Sequence, residues 1–151
     1  MKFTTRRDIT FKLIFAAISL LLFILIAESF LFREFSESYV LVFDSIVGVI
    51  WMFIIWIYID TSYYISDEYL VYRSGPIYGK ISLKTIKKII VDKTAWSGSK
   101  KVGLARHGLL IEYGLEKELY ISPKTNTTFV DYIKTKNPNI KIEQYERYIV
   151  K

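Results

Sequence analysis

Cysteine is absent from the 151 residues, which excludes a disulfide framework, a thiolate metal site and a cysteine nucleophile. Histidine occurs once, at His107, beside Arg106 and without a metal-ligand or triad partner nearby in sequence, so it reads as a surface residue. No Gly-rich phosphate loop, HExxH or nucleophile elbow is present. The stretch "SGSKK", Ser97 to Lys101, has the small-residue and lysine character of an anion-binding loop, but no strand–loop–helix order surrounds it. The sequence therefore points away from an enzyme and calls for no cofactor and no metal. It also lacks an RNP-like, helix-turn-helix or zinc signature, so nucleic acid is not an expected partner.

Long apolar runs are present, and they are concentrated at one end. "LIFAAISLLLFILIAESFLF", Leu13 to Phe32, and "YVLVFDSIVGVIWMFIIWIYI", Tyr39 to Ile59, each supply about the twenty residues that a hydrocarbon core demands. The first exceeds the roughly 7–15-residue core of a signal peptide, and "AES" at Ala27 to Ser29 is a poor cleavage site. Only "REFSES" separates the two runs, so the expected arrangement is a tight antiparallel transmembrane hairpin over residues 13–59.

Charge sets the expected orientation. Residues 1–12, a basic N-terminus, carry Lys2, Arg6, Arg7 and Lys12 against Asp8 alone, whereas the short loop carries Arg33 against Glu34 and Glu37. From Asp60 onward sixteen basic residues face ten acidic ones. The positive-inside rule places both termini in the cytoplasm and the loop outside, in a multi-pass protein of a bacterial plasma membrane. Trp56 and Tyr58, at the inner end of the second span, suit an interfacial aromatic belt.

After Asp60 the pattern changes to short strands. "SYYIS" and "YLVYRSG" flank an Asp67-Glu68 turn, "PIYGK" reads as a second turn, and "KISL" and "IKKIIVDK" read as strands. "GLLIEYG" and "KELYIS" form a further hairpin across Gly114-Leu115-Glu116. Ser122 and Pro123 are expected to open a helix that carries Phe129, Val130 and Ile133 and ends at Asn137-Pro138. The tail, residues 141–151, alternates briefly and fits a strand or a short helix. Some six strands and one helix over residues 60–140 predict a small antiparallel barrel or sandwich closed by a C-terminal helix.

The residues that carry this pattern also resemble a known family. "Y-x-I-S-D-E-x-L-V" (Tyr63 to Val71), Gly75, "K-I-S-L-x-x-I-x-x-I" (Lys80 to Ile89), the "GLLIEYG" strand and "ISP…FVDYI" are similar to bacterial pleckstrin-homology-like domains that follow one or two membrane helices. The resemblance spans about Ser62 to Ile140. It implies a membrane-anchored α+β chain, with a PH-like β-barrel or sandwich behind the transmembrane hairpin. Relatives in the wider group are described as membrane-associated scaffolds, envelope-stress components or self-immunity factors against peptide bacteriocins. At "LARHGLL" the chain departs from the family's usual Ser-x-Asp turn.

Two features stand out as candidate sites. Between Arg73 and Arg106 the basic residues are Arg73, Lys80, Lys84, Lys87, Lys88, Lys93, Lys100, Lys101 and Arg106, against Asp92 alone. All but Lys93 make up the expected lipid-facing surface, attracted to the anionic inner leaflet by about 1 kcal/mol each when close to it. Glu28 and Asp44 form an expected intramembrane acidic pair, roughly 6–8 Å inside the outer helix ends at 1.5 Å per residue. Gly48 and Ser45 offer a place for close helix packing.

Two functional classes follow. In the first, a cytoplasmic PH-like binding or scaffold module is held against anionic phospholipid or a membrane-protein partner. In the second, a bacteriocin self-immunity protein intercepts a cationic peptide at Glu28 and Asp44. Assembly into an oligomer is compatible with either.

Overall fold

The computed structural model describes residues 1–32, 38–95 and 100–145. The expected loop Arg33–Glu37, the Ser97–Ser99 part of "SGSKK" and the end of the tail lie outside the described residues. Two antiparallel helices, α1 (Ile9–Phe32) and α2 (Ser38–Ile59), have 24 and 22 residues. At about 1.5 Å per residue each spans more than the roughly 30 Å of a hydrocarbon core. Their outward sides are a nearly continuous exposed apolar surface, from Leu13 and Phe23 on α1 to Met52 on α2. Between the helices, Phe15 stacks on Tyr58 at 3.9 Å and Val40 and Val47 are buried, while the exposed Phe23 meets Trp51 edge-on.

The rest of the chain forms two sheets. The first contains β1 (Lys2–Thr4), β2 (Thr61–Ile65), β3 (Tyr69–Ser74) and β4 (Ile77–Ser82), antiparallel in sequence order. The second is built from β5 (Ile86–Lys93), β6 (Lys100–Lys101), β7 (Gly108–Tyr113), β8 (Lys117–Ile121) and β9 (Lys141–Gln144), in the spatial order β6-β8-β7-β5-β9. A helix, α3 (Asn126–Lys136), closes the sandwich with Phe129, Val130 and Ile133 turned inward. The alternating strands of both sheets supply the core facing it, including Tyr63, Leu70, Ile89, Leu109, Ile111 and Ile121. This is the expected architecture: two long apolar helices, then a β-rich region with a C-terminal helix.

Four local features differ from the sequence reading. Residues 1–12 are not a free basic flank. Lys2–Thr4 pairs with β2 in the register Lys2↔Tyr64, Phe3↔Tyr63 and Thr4↔Ser62. Phe3 is buried at 5.0 Å from the Phe129 ring, so a strand of the sandwich precedes the helical hairpin.

"PIYGK" is mostly strand rather than turn. The turn is made at Gly75, whose φ of +54° is the left-handed region that glycine adopts without strain. Gly79 sits inside β4 because the Tyr72 side chain crosses it: any Cβ there would collide with the Tyr72 hydroxyl and ring.

Ser122 does not cap α3. It is fully buried, its Oγ accepting from the Leu104 N–H at 2.8 Å and lying 3.1 Å from Thr5 Oγ1. The helix starts later, after Thr125.

Finally, the domain does not stop at Ile140. Lys141–Gln144 adds a parallel edge strand to β5, in register from Lys88↔Lys141 to Val91↔Gln144.

Candidate functional site

The place where the helices meet the sandwich has no slack. Asp60 alone separates α2 from β2. Its backbone carbonyl accepts the Gly75 N–H at 2.9 Å, its carboxylate pairs with the Arg73 guanidinium at 2.7 Å, and Trp56 Nε1 donates to the same carboxylate. Thr61 Oγ1 donates back to the Ile57 carbonyl at 2.7 Å.

On the other strand of the joint, Asp8 caps α1. Its Oδ1 accepts the Phe11 N–H at 2.9 Å, and its Oδ2 accepts the Arg106 N–H at 2.8 Å. Burial pushes the Asp8 carboxyl up, but the Arg106 and Phe11 donors and the Arg106 charge outweigh it and hold the carboxyl below its ordinary range. Arg6 donates to the carbonyls of Arg106 and His107, and Arg7 donates to the Ile59 carbonyl while its guanidinium covers the Tyr58 ring at 4.7 Å. Both connections to the helices are thus tied down by charged side chains.

Strand direction decides where each expected basic residue lies. Strand β2 leaves the helices at Thr61, β3 returns to place Ser74 opposite Thr61, and β4 leaves again. Strand β5 therefore starts at the far end of the sandwich and comes back, ending with Lys93 opposite Gly108 beside the Arg106 loop. Arg73 and Arg106 lie at the near end, both ion-paired. Lys80 and Lys100 sit part-way along, over the Tyr69 and Tyr72 rings at 5.1 and 5.2 Å, and Lys101 follows in β6.

Lys84, Lys87 and Lys88 are at the far end, on the turn Leu83–Thr85 and the start of β5. At about 3.3 Å per residue the six steps from Lys87 to Lys93 carry them roughly 20 Å from the near end. Lys88 is held between Glu112 and Glu143, both at 3.3 Å, and these carboxylates raise its ammonium above the ordinary value. The eight residues do not form one surface.

The two acids inside the helices lie at similar depth but on different sides. Glu28 is exposed on the outer side of α1, whereas Asp44 is partly buried toward α1, with its Oδ1 lacking a hydrogen-bond partner. No bond joins them among the described residues. Gly48 has no atom within 4 Å of a Cβ added there, so it is not required for close packing.

His107 is exposed, its N–H donating to Thr94 Oγ1, and it takes the positive φ of +53° just before β7. Among the described residues no group of three acidic or histidine side chains is placed to hold a metal.

A two-sheet sandwich closed by a C-terminal helix and joined to an apolar hairpin fits the family resemblance, and comparison with known sequences decides it. Residues 61–137 match the bacterial PH domain family. The chain belongs to that family. Strands β1 and β9 complete its PH domain outside the matched range, and the chain is also similar to the uncharacterised protein YyaB of Bacillus subtilis (strain 168), with 36% identity over 90 residues. That alignment covers 59% of this chain and 61% of YyaB. No solved structure matches.

The near-end residues of this PH domain include several that sequence reasoning left aside. Lys2, Arg6, Arg7 and Lys124 come from segments read as a flank or a helix start. The pairing of β1 with β2, the bond from the Lys124 N–H to the Thr4 carbonyl and that from the Arg6 N–H to the Ser122 carbonyl bring them together.

Proposed function

We propose that this protein is a membrane-anchored, non-catalytic PH module whose near end is held against the anionic inner leaflet. The observation that carries the proposal is the joint itself. One residue of linker and the Asp8 and Asp60 hydrogen bonds fix the sandwich directly on the ends of two helices of spanning length. Residues at the near end then lie at headgroup level, where each lysine or arginine contributes about 1 kcal/mol of attraction to anionic lipid. Lys84, Lys87 and Lys88, about 20 Å away, are well beyond the roughly 8 Å Debye length at physiological salt. Of these, Lys84 and Lys87 are available to a protein partner instead, while Lys88 is engaged by Glu112 and Glu143. Both termini are cytoplasmic in this reading, as the positive-inside bias requires.

The absence of cysteine makes the topology directly testable. In intact cells, Ser36→Cys in the loop should react with a membrane-impermeant maleimide, and Lys84→Cys should react only after lysis. Labelling of Lys84→Cys from outside would overturn the orientation and with it the inner-leaflet reading.

A further inference from the structure

A cleft of about 400 Å³ lies in the joint, between β1, the end of α2 and the segment leading into α3. Three cations line it: Lys2, Arg7 and Lys124. None of them forms an ion pair among the described residues. Asp60 is the acid at its wall, and Arg73 already neutralises it at 2.7 Å. The remaining polar lining includes the Thr4 and Ser62 hydroxyls, which the β1–β2 register places opposite each other on the outer side of the sheet while Phe3 points inward. Arg7 is held in place at the cleft. Arg7 Nε is buried and has no hydrogen-bond partner, although the same guanidinium donates from its outer nitrogen to the Ile59 carbonyl. The guanidinium also stacks on the Tyr58 ring at 4.7 Å, so Arg7 is fixed at the cleft wall as a charge that a phosphate would complement.

We propose that this cleft is a phospholipid headgroup site that binds the phosphate of an anionic lipid. Lys2, Arg7 and Lys124 supply the charge, and Thr4 and Ser62 supply neutral donors. The inference rests on the inner-leaflet reading above, because only that reading puts the cleft at headgroup depth. The lipid, rather than a soluble phosphate, is favoured by what borders the cleft. Ile59 forms part of its wall and is 66% exposed, continuous with the apolar outer side of α2 along which acyl chains would lie. The site is separate from the far-end lysines and uses none of the residues on the Arg73–Arg106 run as ligands.

The test uses the full-length protein in detergent, titrated with dioctanoyl phosphatidylglycerol, dioctanoyl phosphatidylcholine and inorganic phosphate. The expected result is a preference for phosphatidylglycerol that falls about thirtyfold in K2Q/K124Q, two cations at about 1 kcal/mol each. The Lys84→Gln, Lys87→Gln double variant should bind as the parent does. K2Q/K124Q keeps Arg7 and its packing on Tyr58, so thermal unfolding should be unchanged; R7Q, with R7K as rescue, tests the guanidinium. Unchanged phosphatidylglycerol binding in both K2Q/K124Q and R7Q overturns the cleft. If the far-end double variant loses affinity instead, the inner-leaflet reading survives with a different surface. Equal binding of the two lipids by the parent overturns both. Inorganic phosphate binding as tightly as phosphatidylglycerol overturns the lipid as the source.

Discussion

The Asp8 carboxylate joins two parts of the protein by dividing its oxygens: Oδ1 accepts the Phe11 N–H that opens α1, and Oδ2 accepts the Arg106 N–H from the loop before β7. A helix cap is commonly worth about 1 kcal/mol, and a hydrogen bond to a charged group about 1.5–3 kcal/mol. Asp8→Ala should therefore lower stability by about 2 kcal/mol. Asp8→Asn keeps a capping oxygen and loses the charge, so its cost should depend on pH. The folded carboxyl titrates below its ordinary value. Its stabilisation is thus present above pH 4 or so and is lost as pH falls through the lower folded value. Thermal melts of parent and Asp8→Asn should differ at pH 7, and the gap should close as pH falls below the ordinary aspartate range and through the lowered folded value. A gap that stays constant across this range would show that the charge does not matter.

The N-terminal strand yields a second prediction. Phe3 packs on Phe129 and Tyr132, at 5.0 and 5.9 Å, and the Met1 amino group donates to the Ile65 carbonyl. A soluble fragment that begins at Asp60 loses all of this, and loss of a buried Phe alone costs about 3–5 kcal/mol. Such a fragment should unfold at low denaturant or aggregate. A chain in which residues 1–7 are joined by a short Gly-Ser linker to residues 60–145 should fold, since Arg7 and Ile59 are already in contact. Equal stability of the two fragments, measured by urea titration, would show that β1 contributes little.

A third prediction concerns the hydroxyl of Tyr63, which is fully buried. It donates to the Val102 carbonyl and accepts from the Ser122 N–H, both at 3.1 Å, and lies 3.2 Å from Thr5 Oγ1. Burial raises this phenol above its ordinary value, against the lowering effect of those bonds. Tyr63→Phe leaves the ring in place but strands buried backbone groups, at about 1–3 kcal/mol. The expected outcome is a lower melting temperature with unchanged secondary structure. A melt identical to the parent's would mean that the Ser122 and Val102 groups find other partners.

These residues also show what the sequence makes legible and what it hides. The hairpins at Asp67-Glu68 and Gly114-Leu115-Glu116, the two long apolar helices and the inward positions of α3 follow from periodicity and turn chemistry, both local signals. Strand β1 does not, because three residues beside two arginines carry no period and their pairing partner lies some sixty residues away across the hairpin. Gly79 reads as a turn for the same reason: the need for glycine comes from Tyr72 on the neighbouring strand. The charge run from Arg73 to Arg106 is real in sequence, yet the reversals from β3 to β4 and from β4 to β5 spread it over both ends of the sandwich. The near-end cluster of Lys2, Arg7 and Lys124 exists only after folding.

Gly75 provides a further check on the joint. Its φ is +54°, and a Cβ would come to 3.0 Å from the Ile57 backbone nitrogen. Alanine there meets both an unfavourable backbone conformation and the last turn of α2, which cannot give way without loosening the helix. Gly75→Ala should cost more than the roughly 1 kcal/mol of a left-handed conformation alone. The loss should appear in hydrogen exchange at Asp60, Thr61 and Gly75 before it appears in β7 or β8. Protection that falls evenly over the whole sandwich would show that the joint is not a separate unit.

Asp44 and Glu28 differ in what their removal should do. Glu28 is on the exposed side of α1, four residues from its end, where a long side chain reaches toward the interface. Asp44 faces α1 with a buried oxygen that nothing in the described structure satisfies. An apolar residue of similar size removes that penalty, so Asp44→Leu should raise the melting temperature in detergent, while Glu28→Leu should leave it nearly unchanged. A destabilised Asp44→Leu would instead mean that the carboxyl has a partner in the membrane, a cation or a second chain. In that case the same substitution, assayed against cationic peptides added from outside, should abolish any protection that the parent confers. Protection that survives Asp44→Leu would remove this carboxylate from a peptide-intercepting role.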